Sequence, residues 1–277
     1  MTDSVPELRL SSSQTIPQLG FGVFQVPPQD TAEAVREALA TGYRHIDTAA
    51  MYRNEAGVGD AITTSGLHRS DVFVTTKLWN GDHGRNPAKR GFARSLDQLD
   101  FDHVDLYLIH WPVPSRDLYV DTWRALIELQ EEGRARSIGV SNFHIAHLER
   151  IIEDTGVVPA VNQIELHPGH QQSELRDFHR RHGIVTEAWS PLGQGAALND
   201  PRIGEIADEL GRTPAQVVLR WHIELGNVVI PKSVTPARIK ENFDIFGFEL
   251  GAERMRRLEA LDAGERIGPN PDEFAKA

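Results

Sequence analysis

Three apolar runs in this chain each end on a polar residue able to do chemistry. Tyr43-Arg-His-Ile ends on Asp47, Val72-Phe-Val-Thr-Thr on Lys77, and Val104-Asp-Leu-Tyr-Leu-Ile on His110. Tyr52 lies just beyond Asp47, in Thr48-Ala-Ala-Met-Tyr. Taken singly, each has a plainer explanation. A charged residue at a strand end is usually solvated, a histidine there usually structural, a loop tyrosine usually packing. Taken together they make a coherent set. A tyrosine hydroxyl, with an ordinary pKa near 10, is a poor acid at neutral pH. A nearby ammonium favours the phenolate and lowers that pKa. Lys77 can supply the ammonium, Asp47 can hold Lys77 as its ion-pair partner, and His110 can donate to a carbonyl oxygen and aim it at Tyr52. Such a set protonates an alkoxide as it forms. It contains no nucleophile and no metal cage, so hydride from a nicotinamide is the natural attacking group.

These residues meet only if the runs are neighbouring strands, about 4.8 Å apart. The pattern along the chain supports this. After a small hairpin near Glu7–Leu10 and Gln14–Pro17, short apolar runs recur at Leu19–Gly22, Arg44–Asp47, Val72–Thr76, Val104–Ile109, Ser137–Val140, Ala160–Ile164, Ile184–Ala188 and Val228–Ile230. Several are continuously apolar, as strands buried on both faces are. Amphipathic segments lie between them: Thr31–Ala40, Asn54–Ser65, Pro87–Leu99, Tyr119–Glu131, Ile145–Asp154, Ser173–His182 and Pro201–Leu210. Thr213-Pro214 and Thr235-Pro236 place a cap and a first-turn proline before two more, to about Leu225 and over Ala237–Phe246. Alternating strands and helices predict a mainly parallel sheet. Eight units fit a (β/α)8 TIM barrel with a short N-terminal β-hairpin, as one domain over residues 1–277. The open doubly wound alternative wants a glycine fingerprint after its first strand, and Gly20-Phe-Gly22 lacks the third glycine and the immediate helix. In a barrel, chemistry sits at the C-terminal ends of the strands, where Asp47, Lys77 and His110 fall.

Composition narrows the function. The chain has 277 residues, with 29 Lys plus Arg against 40 Asp plus Glu, a formal charge of −11. An acidic chain is a poor general binder of nucleic acid or anionic membrane, so neither is expected as a partner. It has no cysteine, which excludes a disulfide scaffold, a cysteine-ligated metal and a cysteine nucleophile. The polar start, Met1 to Leu10, lacks a signal-peptide core, and no apolar run reaches the roughly 18 residues of a membrane span. A cytoplasmic, soluble protein is expected. Across the presumed barrel mouth, Val228-Val-Ile-Pro is followed by Lys232, Ser233 and Arg238, two basic groups and a hydroxyl beside a helix start. Loops after strands seven and eight commonly hold phosphate in barrels.

The quoted runs resemble the aldo-keto reductase superfamily over almost the whole length. The resemblance rests on Gly42-Tyr-Arg-His-Ile-Asp-Thr-Ala with Tyr52, Leu106-Tyr-Leu-Ile-His-Trp-Pro112, Gly133-Arg-Ala-Arg-Ser-Ile-Gly-Val-Ser-Asn-Phe143, Val161-Asn-Gln-Ile-Glu-Leu-His-Pro168 and Ile230-Pro-Lys-Ser233. Through Trp189-Ser-Pro-Leu-Gly-Gln-Gly195 and the lack of a long C-terminal extension, it is most similar to bacterial 2,5-diketo-D-gluconate reductases.

The resemblance implies a catalytic tetrad of Asp47, Tyr52, Lys77 and His110, with Tyr52 the proton donor, and NADPH (NADP+) extended across the mouth. Ser141, Asn142 and Gln163 would hold the carboxamide, and Trp189 would stack on the nicotinamide. Ser190, Leu192, Gly193 and Gln194 would wrap the pyrophosphate. Lys232, Ser233 and Arg238 would bind the 2′-phosphate, with Glu241 and Asn242 at the adenine and Val23 at the cofactor edge. Thr235-Pro236 stands where some relatives carry an extra arginine, so NADH is expected as a weaker second cofactor. Phe24, Tyr52, Trp79, His110 and Trp111 would bind substrate, a small aldehyde, ketone, dicarbonyl or keto-sugar acid. A monomer is expected, and the short C-terminus is expected to leave the pocket open.

Two other classes compete. A non-enzymatic NADPH sensor on this fold would need no intact tetrad. A metal-dependent hydrolase could use His45-x-Asp47, but Lys77 would repel a cation; His167-Pro-Gly-His170 lacks carboxylate or cysteine company and reads as structural, so no metal is expected.

Overall fold

The computed structural model describes residues 5–276; the first four residues, including Asp3 of the polar start, and Ala277 lie outside it. The chain opens with an antiparallel hairpin, β1 (Glu7–Arg9) and β2 (Thr15–Pro17), with Leu8 opposite Ile16. Eight parallel strands follow: β3 (Phe21–Gly22), β4 (His45–Asp47), β5 (Phe73–Leu78), β6 (Val104–Ile109), β7 (Ala135–Ser141), β8 (Val161–Glu165), β9 (Val185–Trp189) and β10 (Val228–Val229). Each pairs with the next in chain order, and the two edges then meet. Leu19 bridges Val229 in parallel, the Gly20 N–H donates to the Val229 carbonyl at 2.8 Å, and the Gly22 N–H donates to that of Pro231 at 3.1 Å. The sheet is therefore a closed (β/α)8 barrel.

The helices are α1 (Pro28–Thr41), α2 (Glu55–Thr64), α3 (Arg85–Leu99), α4 (Tyr119–Glu131), α5 (Ile145–Thr155), α6 (Ser173–His182), α7 (Pro201–Leu210), α8 (Pro214–Glu224), α9 (Pro236–Phe243) and α10 (Gly251–Glu259). Local chemistry explains several ends. Thr213 Oγ1 accepts from the Gln216 N–H at 3.2 Å while the Gln216 side chain accepts from the Thr213 N–H at 3.1 Å, a reciprocal cap that starts α8. Gly183, at φ 71°, ends α6 in a left-handed turn that costs glycine nothing. Pro28 sits where its missing N–H is harmless, so α1 begins earlier than its apolar stripe suggested. The apolar stripe gave no notice of α10, where Leu258 is the one buried residue.

Strand residues alternate between the barrel interior and the helix layer. On β5, Val74 and Leu78 join the helix-side core, which includes Trp123, Leu126 and Trp221. Phe73 joins Leu106, Leu108, Val161 and Val228 in a separate interior cluster, plugged from below by Leu10 and Ile16 of the hairpin. Gly139 on β7 shows how tight the interior is: a Cβ there would lie 2.5 Å from the Val161 carbonyl oxygen and 2.8 Å from Leu108. Above this apolar floor the inward positions are polar and buried: His45, Asp47, Thr75, Lys77, Gln163 and Glu187. Among the described residues, no helix is long and apolar enough to cross a membrane.

Candidate active site

β4 and β5 present Asp47 and Lys77 on the same upper interior face. The Lys77 ammonium is completely buried. It donates to Asp47 Oδ1 at 2.6 Å, to the Thr48 carbonyl at 2.9 Å and to Tyr52 Oη at 3.5 Å. A tight turn after β4, Ala50–Tyr52, carries Tyr52 back over the mouth. His110, immediately after β6, faces the tyrosine with ring centroids 5.7 Å apart. The four groups named from the sequence are thus brought together.

Their ionisation is set by burial as much as by charge. Burial would lower the Lys77 pKa, but the Asp47 charge, Tyr52 and the Asp47 hydrogen bond outweigh it, and the net direction is up. Lys77 stays charged. Burial raises Asp47, opposed by Lys77 and by a hydrogen bond from Gln163. For Tyr52 the sequence argument considered only the ammonium. Burial raises the hydroxyl above its ordinary value, and Lys77 pulls against that rise without reversing it. Lys77 therefore limits a penalty rather than producing a net fall. His110 is pushed well below the ordinary imidazole value by burial and by the Lys77 charge. It is neutral at working pH. Its Nδ1 is buried without a partner. A buried lone pair is cheaper to strand than a buried N–H, so the proton belongs on Nε2, where the ring acts as a donor.

A ring of aromatic side chains surrounds this set. Phe24 lies 5.0 Å from Tyr52 and Trp79 lies 5.4 Å from His110, centroid to centroid. Trp111, the next residue after His110, is met by Phe274 from the C-terminal tail, with ring centroids 4.4 Å apart and planes tilted by 45°. The expected open pocket is corrected here. Residues 263–276 run across the mouth. The Ile267 and Gly268 N–H groups donate to the Glu165 carboxylate at 2.5 and 2.9 Å. Asp272 pairs with His144 at 3.0 Å and with His147 at 3.4 Å, and the Lys276 carbonyl accepts from Asn80 at 2.7 Å. Gly268 is needed where the tail crosses Trp189, because a Cβ would lie 2.5 Å from the indole. No local pattern in the sequence announces this crossing.

The residues expected to hold a nicotinamide cofactor form the other half of the mouth. Ser141 donates to the Gln163 carbonyl at 2.8 Å, and Asn142 donates to the His110 carbonyl at 3.0 Å. The Trp189 indole N–H donates to Asn142 Oδ1 at 2.8 Å, which fixes the plane of the ring. Beyond it, Ser190, Gly193, Gln194 and Gly195 all have positive φ (47°, 58°, 53° and 98°). Left-handed backbone of this kind turns successive N–H groups into an anion-binding concavity. Leu192 is half-buried within that loop, and Val23, just after β3, is fully buried. Lys232 and Arg238 are exposed and form no ion pair with any described residue, whereas Lys240 pairs with Glu37 at 3.0 Å. The Ser233 hydroxyl accepts from the Thr235 N–H at 3.1 Å, at the start of α9. Asn242 is buried; Glu241 accepts from Thr213 at 2.8 Å and is committed to holding α8 against α9.

Among the described residues the only grouping with metal-ligand spacing is His144, His147 and Asp272. His147 Nδ1 accepts from the His144 N–H at 3.1 Å, so the proton sits on Nε2, which faces Asp272. That nitrogen has no lone pair for a metal, and the group is a latch for the tail. His167 is occupied by Glu165 at 3.1 Å.

Geometry of this kind has counterparts in known proteins. The aldo/keto reductase family model matches residues 18–263. This chain belongs to the aldo/keto reductase family. It is 56% identical over 269 residues to an aldo-keto reductase of Mycolicibacterium smegmatis, covering 97% of this chain and 98% of that one. It is 50% identical over 269 residues to the methylglyoxal reductase DkgA of Escherichia coli strain K12, covering 96% and 97%. A crystal structure of a substituted Gox0644 in complex with NADPH superimposes with a TM-score of 0.95 at 49% identity, covering 98% of this chain and 99% of that one. The aldo/keto reductase of Brucella melitensis gives 0.92 at 58% identity, covering 95% and 100%.

Two buried carboxyls went unnoticed in the sequence. Glu165 lies two residues after Gln163, and Glu187 two before Trp189. Strand alternation points both inward, and that period was the available signal.

Proposed function

We propose that this protein reduces small aldehydes, ketones and dicarbonyls to alcohols with NADPH. The observation that carries the reading is the chain of contacts from Asp47 through Lys77 to Tyr52, facing a neutral His110. The left-handed loop from Ser190 to Gly195, the free cations Lys232 and Arg238, and the fixed Trp189 indole fit an extended dinucleotide with a terminal phosphate. Gln163 Oε1, without a partner among the described residues, fits an amide donor. The NADPH held by the related Gox0644 supports the same cofactor here. When bound, it supplies hydride.

The chain's own residues do the rest. His110 Nε2–H holds the carbonyl oxygen and orients it. Tyr52 Oη–H delivers the proton to that oxygen as negative charge builds on it. Lys77 stabilises the tyrosinate left behind, and Asp47 keeps Lys77 in place. The aromatic ring with Phe274 excludes water and favours compact substrates. The likeness to DkgA supports methylglyoxal as a substrate, and diketo-sugar acids remain the finer reading drawn from Trp189-Ser-Pro-Leu-Gly-Gln-Gly195. The set from Asp47 to His110 is complete within one chain, so this reading needs no second subunit at the active site.

The test is NADPH oxidation, followed by nicotinamide absorbance, with methylglyoxal, phenylglyoxal and a 2,5-diketo-gluconate as substrates. Turnover of any of these supports the reductase; tight NADPH binding with no turnover on any carbonyl would favour a sensor.

A further inference from the structure

Glu187 on β9 is a completely buried carboxyl that the tetrad chemistry does not use. Its Oε2 accepts from Gln163 Nε2 at 2.9 Å, and the same nitrogen donates to Asp47 Oδ2 at 2.8 Å. Asp47 also takes the Lys77 proton donor on Oδ1. An ionised Asp47 can only accept, so Gln163 must present its NH2 end to it. The second amide proton then goes to Glu187. The two carboxyls together use both amide protons and leave Gln163 Oε1 as the end available to a ligand.

The charge balance is just as constrained. Lys77 and Asp47 neutralise each other. An ionised Glu187 would add one uncompensated negative charge to a dry interior. His45 Nε2 lies 3.6 Å from Glu187 Oε1 but is within hydrogen-bond distance of Thr75 Oγ1, 3.1 Å away. Burial holds His45 near 3, so it offers no positive charge. Burial, then the Asp47 charge, pushes Glu187 up to about 8, against the Gln163 hydrogen bond and Lys77. The charged and titratable groups around it are His45 and Asp47 from β4, Lys77 from β5, and Tyr52 from the turn above. Among the neighbouring strands, β8 presents neutral Gln163 and β10 presents Val228 in register. Ionised Glu187 raises the pKa of Tyr52.

We propose that Glu187 is a positioning residue for the carbonyl reduction, resting on that reading: it holds the Gln163 amide with its oxygen toward the cofactor and sets a second carboxyl beside the Asp47–Lys77 pair. With Glu187 neutral the site is a neutral pocket. As it ionises, Tyr52 holds its proton to higher pH, and the enzyme keeps its acid through mildly alkaline conditions.

Two variants separate the roles. Glu187→Gln keeps the shape and an acceptor for Gln163 but removes the charge. Glu187→Leu removes both. Tyr52 ionisation is read in the ligand-free proteins from ultraviolet tyrosinate absorbance, as the difference between each protein and its Tyr52→Phe counterpart. The expected result is a fall of about half to one pH unit in both variants, from the loss of one nearby charge. The alkaline limb of kcat should move the same way. NADPH affinity, by tryptophan-fluorescence quenching, should hold within about twofold in Glu187→Gln and weaken about 5- to 10-fold in Glu187→Leu. An unmoved Tyr52 titration in Glu187→Gln overturns the charge role, and wild-type NADPH affinity in Glu187→Leu overturns the orienting role. The tyrosine titration needs no cofactor or substrate, so it decides this point even if the protein turns over no carbonyl.

Discussion

Replacing Lys77 by Met separates what its charge does for folding from what it does for catalysis. Methionine fills nearly the same volume in a site with no exposure, so packing changes little. Three contacts are lost: Asp47 at 2.6 Å, the Thr48 carbonyl at 2.9 Å and Tyr52 at 3.5 Å. Asp47 is then a buried carboxylate with Gln163 as its remaining donor. Breaking a buried pair from one side costs about 3–5 kcal/mol. The loss is lessened as Asp47, freed from the ammonium, takes up a proton at higher pH than before. The sign follows: Lys77 is raised in the fold, so its contribution is present at neutral pH and lost only as pH rises past its ordinary range. Urea denaturation near neutral pH should show a drop of that order. Adding Asp47→Asn should recover most of it, because a neutral pair needs no counter-charge. Carbonyl reduction should fall about 10²–10⁴-fold in Lys77→Met and stay low in the double variant, since Tyr52 has lost its cation. A double variant that regained activity along with stability would place Lys77 in the scaffold and remove it from the mechanism.

Other perturbations should be equally specific. Tyr52→Phe should lower kcat by about 10²–10⁴-fold and leave NADPH quenching intact; near-normal turnover of a slow substrate would require another acid. Arg238→Ala should weaken NADPH roughly 10- to 150-fold by loss of a charge-assisted hydrogen bond, with little effect on NADH, as titration of both cofactors will show. Phe274→Ala removes the ring centred 4.4 Å from that of Trp111 and should raise KM for phenylglyoxal about 2- to 10-fold while kcat changes little. Glu165 is burdened by burial, but hydrogen bonds from His167, Ile267 and Gly268 hold its pKa below the ordinary value. Its hold on the tail is therefore present above the ordinary carboxylate range and lost as pH falls through the lowered value, and Glu165→Gln should expose residues 263–276 to proteolysis at neutral pH.

The sequence alone was sufficient for the barrel and for the meeting of Asp47, Tyr52, Lys77 and His110 at its mouth, because both are written in local patterns. Short apolar runs between amphipathic segments, caps such as Thr213-Pro214, and polar residues closing successive strands depend only on near neighbours in the chain. Parallel order then forces Asp47, Lys77 and His110 to one end. Strand alternation places Glu187 inward, yet its link to Asp47 runs through Gln163 of another strand. The tail was illegible for the same reason: Phe274 meets Trp111, and Asp272 meets His144 from 128 residues away, with no repeat or spacing to tie them. The direction of the Tyr52 shift was decided by tertiary structure as well. Residue types name the charges near a hydroxyl, but only the assembled barrel sets how much water is removed from it, and here that loss of solvation outweighs the lysine.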